Sequence, residues 1–437
     1  MKRGPALRVG ALLTGVLVLA AVRGGDVAAQ GPVTSQGTPT EDGILAMWLA
    51  KSREVASFRS QLGAARFDVV TATAWPNPQL QLGVSKLVSQ PSPAPNAVYG
   101  FSPQISFPLP VLGQMSARKE AALAALSVAE VDVLVTLWDR AADIKDAMLS
   151  LVFAQERMDA VSRNLSELAT IATIVNTRAA AGANPRYDVL RVGTADSTFR
   201  AALSSARIDR DQAEAKLLSL LGIPGLTTIT VTREALAPFH GPATEAALVA
   251  TGLARRPDLE LARRQVSASW ANVRHYEREN IPVPNVFVGT MHTLDYPSFG
   301  VQGGLSFNLP VFDRNRGPIG RARAEAAGNA ALGEALESRI RAEITGAWRA
   351  RSAAAEALEQ FRKVGLATTG ELLERASVSY KAGAFAVLDL LDAYRAAWDA
   401  RAQELDLARA FAEAEAEVER AAALITPSLA DAAPGHS

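Results

Sequence analysis

Residues 107–117 read FPLPVLGQMSA, and residues 307–317 read FNLPVFDRNRG. A strand-like apolar run ends in Leu-Pro-Val twice, at an offset of 200 positions, and self-similarity at a fixed offset marks an architecture built of repeated units. The match extends outward. Upstream, WPNPQLQLGV at 75–84 is answered by IPVPNVFVGT at 281–290, an offset of 206, so the first half carries six extra residues, which fall in the Pro-rich LVSQPSPAPNA. Downstream, AAGANPRYDVLRV from Ala180 is answered by KAGAFAVLDLLDA from Lys381, an offset of 201. The chain is a tandem duplication of about two hundred residues, two copies of one supersecondary unit.

Each copy contains alternating runs. In 98–109, Tyr99, Phe101, Ile105, Phe107 and Leu109 fall on one face and Gly100, Ser102, Gln104 and Ser106 on the other. In 299–309, Phe299, Val301, Leu305, Phe307 and Leu309 repeat the pattern against Gly300, Gln302, Gly304, Ser306 and Asn308. Leu80, Leu82 and Val84 alternate with Gln79, Gln81, Gly83 and Ser85, and Val286 and Val288 head a fourth run. The period is two and each run has the length of a bilayer-crossing strand, although a soluble sandwich shows the same alternation. The reading is two β-hairpins, about 79–109 and 285–309.

Beyond each second strand the period changes. Leu137, Ile144, Leu151, Met158 and Leu165 recur every seven residues, with Ala154, Val161, Leu168 and Val175 as a second track. A sustained heptad seam implies helices supercoiled on their neighbours. This predicts long helices over 115–178 and 317–381, each followed by a Gly-containing turn and a further helix, 186–221 and 386–425. Additional helices fit 41–74 and 242–280. The expected boundaries are a leader at 1–29, a first repeat at 30–222, a linker at 223–241, a second repeat at 242–425 and a tail at 426–437.

The leader reading rests on Lys2, Arg3 and Arg8 before an apolar run and on the small residues Val27-Ala28-Ala29, the layout of a secretory signal peptide cleaved after Ala29. No other segment reads as a spanning helix. With no cysteine there is no lipid anchor on a thioether and no thiolate chemistry. The 45 basic and 45 acidic residues cancel, which points away from nucleic acid. No P-loop, zinc-protease motif, nucleophile elbow or Rossmann fingerprint is present, so an enzyme has nothing to stand on, and no cofactor is expected. His240, His275, His292 and His436 share no ligand spacing, so no metal site is assigned.

Four strands cannot close a barrel, and an open edge in hydrocarbon leaves backbone groups unsatisfied at several kcal/mol each. Three copies would supply twelve strands, an even number in the range of closed barrels. The duplication, the two strand-to-helix signatures and the helix-turn-helix YKAGAFAVLDLLDAYRA resemble the TolC family of outer-membrane efflux proteins. The FDRNRG variant is similar to the heavy-metal branch, the partners of cobalt-zinc-cadmium exporters.

The resemblance implies a homotrimer in the outer membrane, with a twelve-stranded barrel continued by a long periplasmic coiled-coil tunnel. It implies a passive exit duct fed by a periplasmic adaptor (membrane fusion protein) and an inner-membrane pump of the RND type. The cargo expected is heavy-metal cations or small toxic compounds. Alternatives are a duct for type I protein secretion and, in a different class, a soluble periplasmic coiled-coil adaptor. Asp389 and Asp392, three apart on one helix face, match the aspartates that ring the periplasmic mouth. From sequence alone the favoured reading is helix N-terminal charges set against the dipole, and it is the resemblance that turns them into a gate. Tyr380 and Asp188 match positions that link neighbouring helices in the closed state. The chain departs from the best-known gate at Phe385, where an arginine would supply the inter-helix bond. Gly182 and Gly383 mark the hairpin tips that meet the adaptor, and glycine is also the usual residue where a helix stops.

Overall fold

The structure, a computed structural model, describes residues 40–87, 98–180, 186–293 and 298–425. The leader, the Pro-rich loop, Gly182 and the tail lie outside the described residues. The first repeat runs α1 (Glu41–Lys51), α2 (Arg53–Thr73), β1 (Gln79–Leu87), β2 (Val98–Pro108), α3 (Gln114–Ala180) and α4 (Arg186–Leu221). The second runs α5 (Glu245–Arg255), α6 (Pro257–Glu279), β3 (Pro284–Thr293), β4 (Ser298–Phe307), α7 (Arg316–Gln360), α8 (Ala367–Lys381) and α9 (Val387–Ala421).

The four strands form one antiparallel sheet in the order β1-β2-β3-β4. Its register puts the apolar set of every strand on one side. Leu80 pairs with Ile105, Ile105 with Val288, and Val286 with both Phe107 and Leu305. The opposite side carries Gln81 beside Gln104, joined by a side-chain hydrogen bond of 2.6 Å, and Gln302 beside Gly289. Phe287 also lies on this side, its ring over Gly304, where an added Cβ would come within 3.0 Å of Cζ. The apolar side is solvent-exposed in the single chain: Leu82 is 62% and Val301 70% accessible. β1 and β4 leave the two edges of the sheet unpaired within the chain.

Below the sheet α3, at 67 residues, extends for roughly 100 Å. Leu137, Ile144 and Leu151 are fully buried, whereas further along Leu168, Ile171 and Val175 take over that role. The change of track is the drift of about 20° per heptad between a 3.6-residue helix and a 3.5-residue seam. The buried residues gather in separate clusters along the rod. One, around Trp48, Leu137 and Leu217, joins α1, α3 and α4; another, around Leu248, Ile340 and Val418, joins α5, α7 and α9; a third sits at the far end.

Three helices expected to be continuous are interrupted. The span 41–74 breaks at Ser52, whose hydroxyl caps α2 by accepting from the Glu54 N–H at 3.3 Å. The span 242–280 breaks at Arg256, because Pro257 supplies no N–H and is tolerated only at the start of a helix. The span 317–381 contains a π-helical turn at Phe361–Leu366, where the Phe361 ring lies against Gly365 and a Cβ would come within 2.8 Å of it. The expectation that no other segment could span a membrane as a helix also needs correcting: α3 holds one stretch long and apolar enough. About a quarter of that stretch, 28%, is buried against neighbouring helices within the single chain.

Candidate functional site: the helical tip

The far end of the rod is built from the end of α3, the start of α4, α8 and the start of α9. Leu168, Val175, Val192, Tyr380, Leu391 and Trp398 form its core. α8 ends where Gly383 adopts φ +78, a conformation that disfavours any side chain. The Gly383 N–H bonds the Tyr380 carbonyl at 3.1 Å and the Ala384 N–H bonds that of Ser379 at 2.9 Å, closing the turn.

Asp389 lies in the first turn of α9 and is exposed; its Oδ2 accepts from the Ala386 N–H at 3.0 Å. That bond satisfies one free donor of the helix end. Asp392 is also exposed, on the same face, with the Arg395 guanidinium 3.9 Å away. Asp389 therefore caps its own helix end, Asp392 lies beside Arg395 one turn on, and both face outward. Asp188 is half-buried in the first turn of α4, and beside it the Arg191 guanidinium donates to the Tyr187 hydroxyl at 2.9 Å. Tyr187, Leu190 and Phe385 are exposed at the same end.

Tyr380 is 3% exposed, with its hydroxyl buried and without a hydrogen-bond partner among the described residues, and Arg178 stacks over its ring at 4.5 Å. An unsatisfied buried hydroxyl is a liability. Tyr380→Phe should therefore leave the melting temperature of the isolated protomer unchanged or raise it, by up to about 1 kcal/mol of stability. A loss of similar size would mean that the hydroxyl has a partner.

Sequence reading missed the seam that joins the two hairpins. α3 and α9 run antiparallel and are joined by Asp139–Arg420 at 3.1 Å, Lys145–Glu419 at 2.5 Å, Arg157–Asp406 at 3.2 Å and Glu167–Arg401 at 3.0 Å. Near the tip Glu167 also accepts from Trp398 Nε1 at 2.9 Å, and Trp398 meets the Phe199 ring edge-on at 4.5 Å. At the other end Lys145 bonds Glu41 as well, at 2.9 Å, and Glu41 accepts from the Ala237 N–H at 2.9 Å. All three charged side chains are less than a tenth exposed. Burial opposes the charge on Lys145, but attraction and hydrogen bonds from both glutamates hold its pKa above the ordinary lysine value. Burial pushes Glu419 up, with Lys145 pulling against it. The available signal was position: Lys145 directly follows Ile144 of the heptad seam, and lysine is rarely buried without partners.

A model of the family described as outer membrane efflux protein matches residues 44–223. Among similar proteins, the cobalt-zinc-cadmium resistance protein CzcC of Cupriavidus metallidurans is 23% identical over 397 residues, 86% of this chain and 87% of CzcC. The pyoverdine export outer membrane protein OpmQ of Pseudomonas putida is 22% identical over 395 residues, 85% of this chain and 83% of OpmQ. A crystal structure of CusC superimposes with a TM-score of 0.72 at 19% identity, covering 88% of this chain and 92% of that one. The open state of the Neisseria gonorrhoeae MtrE outer membrane channel gives 0.71 at 18% identity, covering 88% and 89%. At these identities the structural likeness is one of fold.

Proposed function

We propose that this chain is an outer membrane efflux protein, a family whose model matches residues 44–223, and that it is the passive exit duct of a tripartite efflux system. Three copies close a twelve-stranded barrel, and their helices continue it as a periplasmic tunnel. An inner-membrane pump of the RND type and a periplasmic adaptor deliver the cargo. The observation that carries this reading is the sheet: one exposed side mostly apolar, with Lys86, Thr290 and His292 among its side chains, the other mostly Gln, Ser and Gly beside Phe287 and Met291, and both edges open. Lipid satisfies the first side, a water-filled lumen the second, and neighbouring copies the edges. A soluble adaptor would have no use for such a sheet. Heavy-metal cations or small toxic compounds are the proposed cargo, the cations supported by the name of the cobalt-zinc-cadmium resistance protein CzcC.

Asp389, Asp392, Asp188 and Tyr380 belong, in this reading, to the periplasmic gate, and Gly182 and Gly383 to the tips that receive the adaptor. Three-fold closure gathers six carboxylates from Asp389 and Asp392 at a narrow mouth, a ring that attracts cations. Asparagine at both positions removes the charge while keeping an acceptor for the Ala386 N–H. In planar bilayers D389N/D392N should show weaker cation selectivity, reduced block by divalent cations and raised conductance. Unchanged selectivity and block would leave these residues as helix-end charges. A purified protein that forms no pores would remove the duct itself.

A further inference from the structure

Beside α3, the break between α5 and α6 leaves a hollow that the duct reading does not use. Val131, Leu134 and Trp138 share one face of α3, by their helical spacing, and line it opposite Arg255, Arg256 and Pro257. Its volume is about 430 Å³, within the range of small-molecule sites. All of its walls come from one chain, so it exists whether or not copies assemble into a duct.

The break differs in kind from the one in the first repeat. There Ser52 caps α2 with an acceptor. Here the cap position is Arg256, whose side chain makes no capping bond and can only donate. The buried Arg256 guanidinium donates through Nε and Nη2 to Asp258, and through Nη1 to Glu343 at 2.8 Å and to the Ala421 carbonyl at 3.3 Å. It lies over the Trp138 ring, 5.2 Å from the centroid. Arg256 is thus fully engaged and holds the indole in place. The indole itself is not satisfied: Trp138 is 5% exposed, and its buried Nε1 has no acceptor among the described residues. An indole N–H is a donor only, and a buried donor left without an acceptor is costly. Arg255, exposed at the end of α5, has no ion pair among the described residues. The remaining charges of the wall are engaged, Arg263 lying 3.5 Å from Glu337 and Glu260 2.6 Å from Arg264. The hollow therefore offers an unanswered N–H and an unanswered guanidinium beside apolar side chains.

We propose that this hollow binds an organic carboxylate with a small apolar body. The carboxylate accepts from Trp138 Nε1 and from the Arg255 fork, whose planar geometry matches it. Val131, Leu134 and Pro257 shield the apolar part from water. A neutral ligand would leave Arg255 unanswered, and a bare inorganic anion would leave the apolar wall uncovered.

The test uses the purified full chain in detergent and para-trifluoromethylbenzoate as the probe, followed by fluorine NMR, with the corresponding benzamide and inorganic phosphate for comparison. Micelles take up the aromatic probes alike in every sample, so differences between protein variants are what count. The benzoate should bind saturably, the benzamide about tenfold more weakly, the scale of a hydrogen bond to a charged group. Phosphate at equal concentration should not displace the benzoate. Arg255→Ala removes an exposed side chain and should weaken the benzoate about tenfold while leaving the benzamide unchanged. Trp138→Phe keeps a ring beneath Arg256 and removes the N–H, and should weaken both probes by about threefold to tenfold. Circular dichroism and native mass matching the unaltered protein establish that the variants are folded. If W138F does not fold, the charge-selective loss in R255A decides alone. No saturable binding, a benzamide that binds as well as the benzoate, or unchanged affinity in the folded variants would each overturn the site. So would displacement by phosphate at equal concentration, because the apolar wall would then play no part.

Discussion

Replacing Lys145 with methionine should destabilise the folded chain by about 3 to 5 kcal/mol, the scale for leaving buried charges uncompensated. Two carboxylates, Glu41 and Glu419, share this one ammonium at 2.9 and 2.5 Å. Remove it and both are stranded away from water. Neutralising all three in K145M/E41Q/E419Q should recover most of the loss, since a buried triad exchanged for neutral groups is often close to neutral in stability. The pH dependence has a fixed sign. Lys145, held above its usual pKa, contributes stability that is present at neutral pH and lost only in alkali, as pH rises through the folded value. Glu419, raised by burial, favours the folded state most in acid. The gap between wild type and K145M should therefore be widest near neutrality and narrow toward both extremes. Urea titrations across pH would show it, and a loss below about 1 kcal/mol at neutrality would rule out the role assigned to the triad.

Charging the apolar side of the sheet should be equally decisive. Leu305→Arg places a guanidinium opposite Val286, in the middle of the apolar row that runs on to Phe107. Arginine facing lipid costs about 2 to 4 kcal/mol near the bilayer midplane, so L305R should lower the yield of membrane-inserted, heat-modifiable assembly, and L305R/F307R should lower it further. Gln302→Arg, three residues away on the polar side opposite Gly289, should insert normally. Equal losses from both sides would mean that the sheet has no lipid-facing surface.

The alternation of Leu80, Leu82 and Val84, and of Phe299 through Phe307, is a two-residue period, and the register turns it into an apolar and a polar face, interrupted in β3 by Thr290 and His292 on the first and Phe287 on the second. That much was legible because each strand must satisfy two solvents at once. The long α3 was legible for a similar reason, through its heptads. The breaks at Ser52 and at the Phe361 π-turn were less so. A helix propensity pattern survives a local change of hydrogen-bond register, and only the packing of Phe361 on Gly365 fixes where it occurs. At the tip, spacing put Asp389 and Asp392 on one face, and the structure adds that Asp389 is engaged with its own helix end. The bonds joining α3 to α9 span more than two hundred residues of sequence, so no local pattern announces the partner.

The buried clusters strung along the rod have a mechanical consequence. The tip cluster around Trp398 and Tyr380 shares no member with the one around Trp48 and Leu137, and between those levels run continuous helix, a line of ion pairs and a smaller cluster around Phe153, Leu358 and Ala408. Cooperative unfolding travels through shared cores, and separate cores open with separate free energies. Such a chain behaves as a series of short rigid segments on common shafts. A rearrangement at the tip would then leave the packing of the collar beneath the sheet untouched, a separation that hydrogen exchange along α3 would test.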